Sequence, residues 1–152
     1  MKRSLALLLC LALALLAGCS FFSDDVPREE IVDYVKENID VLEDFAAHWT
    51  GEIEDEPAAI RDEFGRKTII KSVYRYDGSV IQFYCGGTGL SVSSTYSGFY
   101  YSPEDAPFGF EFDHRVGWEQ TGEDCWYWTK DGDSVTVERI LPHWFYYHIV
   151  WP

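Results

Sequence analysis

The stretch KTIIKSVYRYDGSVIQFYC, residues 67–85, decides the fold class. On either side of Asp77-Gly78, Thr68–Tyr76 and Ser79–Cys85 alternate in polarity and are rich in β-branched and aromatic side chains. That is the pattern of two strands joined by a two-residue turn, with Asp-Gly supplying the positive φ such turns demand. A two-residue connection places Tyr74 opposite Ile81, Ser72 opposite Phe83 and Ile70 opposite Cys85 on an apolar face. Lys71, Arg75, Gln82 and Tyr84 then fall on the other face.

Downstream the two-residue period continues. Gly86-Gly87-Thr88-Gly89 breaks the ladder, and strands are expected over Tyr96–Ser102, Phe108–Phe112 and Val116–Gln120. Cys125–Lys130 and Ser134–Leu141 form a second hairpin across Asp131-Gly132, and Trp144–Trp151 closes the chain after Pro142. Upstream the period is helical. Ile31, Val35, Ile39, Leu42, Phe45 and Trp49 recur every three or four residues, with Tyr34 and Ala46 beside them and acids on the opposite side. Asp25 is the expected N-cap, Pro27 sits in the first turn, and Thr50-Gly51 ends the helix. Ala58–Phe64 reads as a short second helix. The expected class is α+β: one long N-terminal amphipathic helix packed on an antiparallel β-meander of about six to eight strands with short loops.

The beginning of the chain has a different character. Lys2 and Arg3 precede an apolar run from Leu5 to Leu16, and Leu16-Ala17-Gly18-Cys19 follows. A dozen apolar residues reach about 18 Å, short of the roughly 30 Å hydrocarbon core that a spanning helix must cross. The segment resembles the signal peptide and lipobox of bacterial lipoproteins. The resemblance implies cleavage before Cys19 and a diacylglyceryl group on its thiol, with acyl chains of the palmitate class holding the protein to a bacterial membrane outside the cytoplasm. Ser20, rather than Asp, after the cysteine resembles an outer-membrane sorting signal in two-membrane bacteria. The expected organisation is therefore a signal peptide over 1–18, a lipidated tether over 19–26 carrying Phe21 and Phe22, and a single domain over 27–152.

The chain has 12 Lys+Arg against 26 Asp+Glu, a net charge of −14, and loss of Lys2 and Arg3 with the signal makes it more negative still. This opposes binding to nucleic acid and to anionic lipid surfaces, and favours cationic partners. Of four cysteines, Cys10 leaves with the signal and Cys19 is the lipidation site. Cys85 and Cys125 remain, an even pair in an oxidising compartment, and are expected to form a disulfide closing a loop of about 40 residues. The acids between Glu52 and Glu63 lack the alternating pattern of a calcium loop. Gly86–Gly89 lacks the Gly-Lys-Ser/Thr ending of a phosphate loop, so the sequence implies neither metal nor cofactor.

Aromatic residues carry the functional expectation. Phe99-Tyr100-Tyr101, Trp126-Tyr127-Trp128 and Trp144–Tyr147 lie on three strands, so each run sends rings to both faces of the sheet. One helix covers one face. The other is left either as a second small core under a curled sheet or as an aromatic, hydroxyl-rich surface suited to a glycan or an envelope protein. Tyr96, Tyr100, Tyr127, Trp144 and Tyr146 are the candidate binding residues of a non-enzymatic module. A thiol enzyme would use Cys85 with His114, His143 or His148, although no peptidase motif surrounds that cysteine. Ser97-Gly98-Phe99-Tyr100-Tyr101 and Trp128-Thr129-Lys130 resemble the two motifs of lysozyme-inhibitor lipoproteins, with Cys at 125 where the second motif carries Tyr and with Asp131 after the Lys. That resemblance implies an envelope protein binding cationic lysozyme through Ser97 and Lys130. An accessory structural subunit of an envelope complex is a further alternative. The helix-plus-meander layout also resembles small bacterial lipoproteins to which no activity attaches.

Overall fold

The computed structural model describes residues 24–49, 57–76, 79–90, 93–110 and 117–152. The signal peptide, Cys10, Cys19, the tether as far as residue 23, residues 50–56, Asp77-Gly78 and residues 111–116 with His114 lie outside the described residues.

Seven antiparallel strands make one sheet: β1 (Ser72–Tyr76), β2 (Val80–Leu90), β3 (Ser93–Tyr101), β4 (Glu119–Gly122), β5 (Cys125–Lys130), β6 (Asp133–Leu141) and β7 (Trp144–Trp151). Their spatial order is β1-β2-β3-β7-β6-β5-β4, so the sheet is two meanders joined where the last strand pairs with β3. A single meander, as expected from sequence, would have put β4 there. Instead the chain must travel from mid-sheet to the far edge, and the described residues that follow β3 and precede β4 place Phe108, Phe110 and Trp118 on one face. The expected strand over Phe108–Phe112 is absent from this route as far as it is described: Phe108 and Phe110 are covering side chains on an irregular segment.

The expected long helix is two shorter ones, α1 (Arg28–Glu37) and α2 (Ile39–His48), and the domain is mainly β rather than α+β. Asn38 makes the break. Its backbone N–H and its side-chain Nδ2 both donate to the Tyr34 carbonyl, at 3.1 and 2.8 Å, so the side chain competes with the helical ladder at φ −116° and ψ 18°. The buried stripe survives the break: Ile31, Val35, Leu42 and Phe45 are all buried against the sheet, each worth about 1.5–3 kcal/mol. Asp25 is not the N-cap. Pro27 occupies that position without a side-chain cap, and Asp25 accepts a hydrogen bond from Ser97 Oγ instead. A third helix, α3 (Pro57–Phe64), adds Ile60 to the same core.

The two faces of the sheet have separate cores. Under the helices, Phe83 stacks on Phe99 at 4.6 Å, with Val73, Ile81 and Trp144 around them. On the opposite face, Tyr100 stacks on Phe145 at 5.1 Å beside Val135, Val137 and Tyr147. Phe108, Phe110 and Trp118 roof this second core. Phe108 N–H donates to Tyr100 Oη at 2.9 Å, and Arg139 on β6 grips Asp105 through Nη1–Oδ2 at 2.7 Å while lying over Trp126 and Phe145.

The first hairpin differs from its sequence reading by one residue. Tyr76 pairs with Val80, leaving a three-residue connection, so Tyr74 faces Gln82 and Ser72 faces Tyr84. Because side chains alternate, that slip changes the company every residue keeps. Val73 and Phe83 go under the helices, while Tyr74, Tyr76, Gln82 and Tyr84 share the opposite face. The second hairpin is as expected: Lys130 pairs with Asp133 across Asp131 (φ 55°) and Gly132 (φ 99°), the positive-φ pair of a type I′ turn.

Candidate aromatic groove

The expected Cys85–Cys125 disulfide is not formed; both thiols are free. Cys85 is on β2 and Cys125 on β5, with β3, β7 and β6 between them. Four steps of about 4.8 Å along the sheet far exceed the Cα separation of about 4.4–6.8 Å that a disulfide requires. Cys85 is the extra residue at a bulge between Tyr84 and Gly86, fully buried, and burial pushes its thiol far above the usual range. A thiol so held is no resting nucleophile.

The five candidate binding residues do not share a surface. Tyr96 and Tyr100 are on the face roofed by Phe108, Phe110 and Trp118, and Tyr127, Trp144 and Tyr146 are on the helix-covered face, as the strand pairing dictates. Tyr100, Trp144 and Tyr146 are buried. Tyr127 is half-buried on β5, and Tyr96 is half-buried on β3. Ser97 is also buried, donating to the Gly86 carbonyl and Asp25, and lies three strands away from exposed Lys130, so the structure does not bring those two together. His143 carries the positive φ (67°) of the β6–β7 turn, and its Nδ1 bonds to the Ser102 carbonyl.

Of the five, Tyr96 alone opens onto a groove of about 440 Å³ that runs between β1 and β7 on the roofed face. The correct β1–β2 register assembles one wall, Tyr74 and Tyr84 flanking Gln82. Tyr96 packs against Tyr84 at 6.1 Å and against Trp151 at 4.8 Å, forming the other. Phe110, set 5.3 Å from Tyr76 and 4.9 Å from Tyr147, closes the far end. Gly98 opens space alongside: Tyr147 leans over it so closely that a Cβ would lie 2.8 Å from Tyr147 Oη and 2.1 Å from the Phe83 carbonyl.

Among the described residues no charged side chain lines this groove; their polar groups there are tyrosine hydroxyls and the Gln82 amide. Burial raises the Tyr84 hydroxyl, helped by Tyr96 and Asp24, and burial holds Tyr147 well above its ordinary value. Both therefore stay protonated, hydrogen-bond donors, at physiological pH. Tyr147 Oη is buried and makes no hydrogen bond of normal geometry; Gln82 is the side chain that bears on it. Such a site can stack flat apolar surfaces and exchange neutral hydrogen bonds. Among the described residues, no cluster of His, Cys, Asp or Glu is arranged to hold a metal ion.

Sequence reading missed Tyr74, Tyr76, Gln82, Tyr84 and Trp151. The signal was the i, i+2 spacing of Tyr74 and Tyr76 and of Gln82 and Tyr84, which becomes a shared face only once the register is known. Comparison with protein families, with curated proteins and with solved structures returns no match to this chain.

Proposed function

We propose that the chain is a lipid-anchored, extracytoplasmic binding module without catalytic activity, and that its ligand is a neutral saccharide held in the aromatic groove. The observation that carries this reading is the composition of the groove walls: Tyr84, Tyr96 and Trp151 present ring faces and edges around a cleft whose described lining is uncharged and includes an amide and hydroxyls. Sugar rings offer apolar C–H faces for stacking and hydroxyls for neutral hydrogen bonds, the two interactions these side chains supply. The lipobox at Leu16–Cys19 supports the location.

The test is binding of the full chain to an array of neutral glycans. Truncating an aromatic anchor in such a site costs about 1–2 kcal/mol, so Tyr96→Ala and Trp151→Ala should each weaken binding at least about fivefold. Tyr127→Ala, on the other face, should bind as the parent does. An array that retains nothing, or retention that Tyr96→Ala and Trp151→Ala leave unchanged, removes the proposal.

A further inference from the structure

The end of the groove bounded by Tyr84, Tyr96 and Trp151 lies beside the place where the chain enters from its N-terminal side. β1 stops pairing with β2 at Ser72–Tyr84, and the Lys71 N–H adds one more bond to the Tyr84 carbonyl at 2.8 Å. Beyond that point the edge of β2 is taken over by residues 24–26. Asp24 N–H donates to the Gly87 carbonyl at 3.3 Å, and the Lys71 ammonium is ion-paired with the Asp24 carboxylate. Asp25 receives Ser97 Oγ at 3.3 Å, and Arg28 is bound by Glu138. Gly86 is required at this crossing, since a Cβ there would lie 2.0 Å from the Asp24 carbonyl oxygen. The end of the expected tether is thus part of the domain. Gly87, which holds Asp24, pairs across the sheet with Tyr96 of the groove wall.

Five residue steps separate Cys19 from Asp24, a maximum reach of about 17 Å. A lipid on Cys19 therefore holds Asp24, beside the Tyr84–Tyr96–Trp151 end, no more than about 17 Å from the bilayer surface. Tyrosine and tryptophan are the side chains suited to the membrane–water interface. The net charge of −14 opposes anionic headgroups, and the described residues of the groove include no cation to bind one.

We infer that the groove takes the neutral saccharide headgroup of a glycolipid lying in the same membrane leaflet as the chain's own anchor. This rests on the saccharide-binding reading above and adds the source of the sugar. Confinement makes the source matter: two partners held on one surface meet at an effective concentration of about millimolar or more, so a weak single-sugar site is filled without further contacts.

The experiment uses the full chain, lipidated at Cys19, in phosphatidylcholine vesicles with and without a monoglycosyl diacylglycerol. The readout is the fluorescence contributed by Trp151, taken as the difference between the parent and Trp151→Phe. The expected result is a saturable change only in vesicles with the glycolipid, reversed by the free methyl glycoside at about millimolar concentration and weakened about tenfold or more by Tyr96→Ala. If the free glycoside binds and the vesicle glycolipid gives no change, saccharide binding stands and the membrane source falls. A change of equal size in plain vesicles would mean that the aromatic rim docks on lipid, overturning the inference. No response to either form of sugar overturns both readings.

Discussion

Cys85 shows how much a single position depends on what its own sequence neighbourhood cannot report. An even pair of cysteines in a chain expected to be exported favours a bridge, but a count of thiols carries no information on strand order. The bulge at Cys85 turns that thiol into the helix-covered core, and four strand steps separate it from Cys125. Cys125 is half-buried near the sheet edge, its thiol raised more modestly by desolvation and by Glu138. Alkylation of the native, unreduced chain should therefore modify Cys125 and leave Cys85 untouched until denaturant is added, as read by peptide mass. Protection of both until a reductant is added would restore the disulfide; equal labelling of both in the native state would contradict the burial of Cys85.

Among the elements, those fixed by strong local chemistry were legible and those fixed by distant pairing were not. Asp131-Gly132 specifies its hairpin, and the runs Cys125–Lys130 and Trp144–Trp151 are strands with the bounds read from sequence. The buried positions of the amphipathic stripe were also legible, because burial depends on period; the break at Asn38 was not, because it depends on one side chain's choice of partner. The β1–β2 register differs by one residue from the one a two-residue turn implies, because Ser79 joins Asp77-Gly78 in the connection, and the wall of the groove depends on that difference. The crossing segment shows the same limit at greater distance. It is pinned by the Asp105 carboxylate, which accepts from Arg139 Nη1 at 2.7 Å and from the His143 N–H at 2.8 Å, pairs that sequence separation hides. Asp105→Ala should leave the Arg139 guanidinium against Trp126 without its main partner and cost about 1–3 kcal/mol. The expected signature is a lower urea midpoint together with increased binding of a hydrophobic dye, as the roof over Tyr100 and Phe145 loosens. An unchanged midpoint would show that the aromatic contacts of Phe108 and Phe110 hold the segment without the clasp.

For the whole molecule, burying aromatic side chains on both faces of one sheet has a consequence that no single contact carries. Tyr100 in the roofed core and Tyr147 at the base of the groove are buried and held well above their ordinary pKa, and burial pushes Tyr146, under α1, up to about 12. Cys85 is raised in the same way. In the unfolded chain these groups ionise at about 8.5 for the thiol and about 10 for the phenols. Below those values both states carry the same protons and the shifts add nothing to the pH dependence of stability. Above them the unfolded chain releases protons that the folded chain retains, so the unfolded state is favoured and stability must fall as pH rises. The slope approaches about 1.4 kcal/mol per pH unit for each group fully ionised in the unfolded chain alone. The urea midpoint should begin to decline near pH 8.5, chiefly through Cys85 with a smaller share from Cys125, and drop more steeply above about pH 10 as the buried tyrosines join. Cys85→Ala should flatten most of the first segment while leaving the second, which separates the thiol from the phenols. A midpoint that stayed level to about pH 11 would mean that the hydroxyls ionise in place, and hence that the second face is open to water rather than a core.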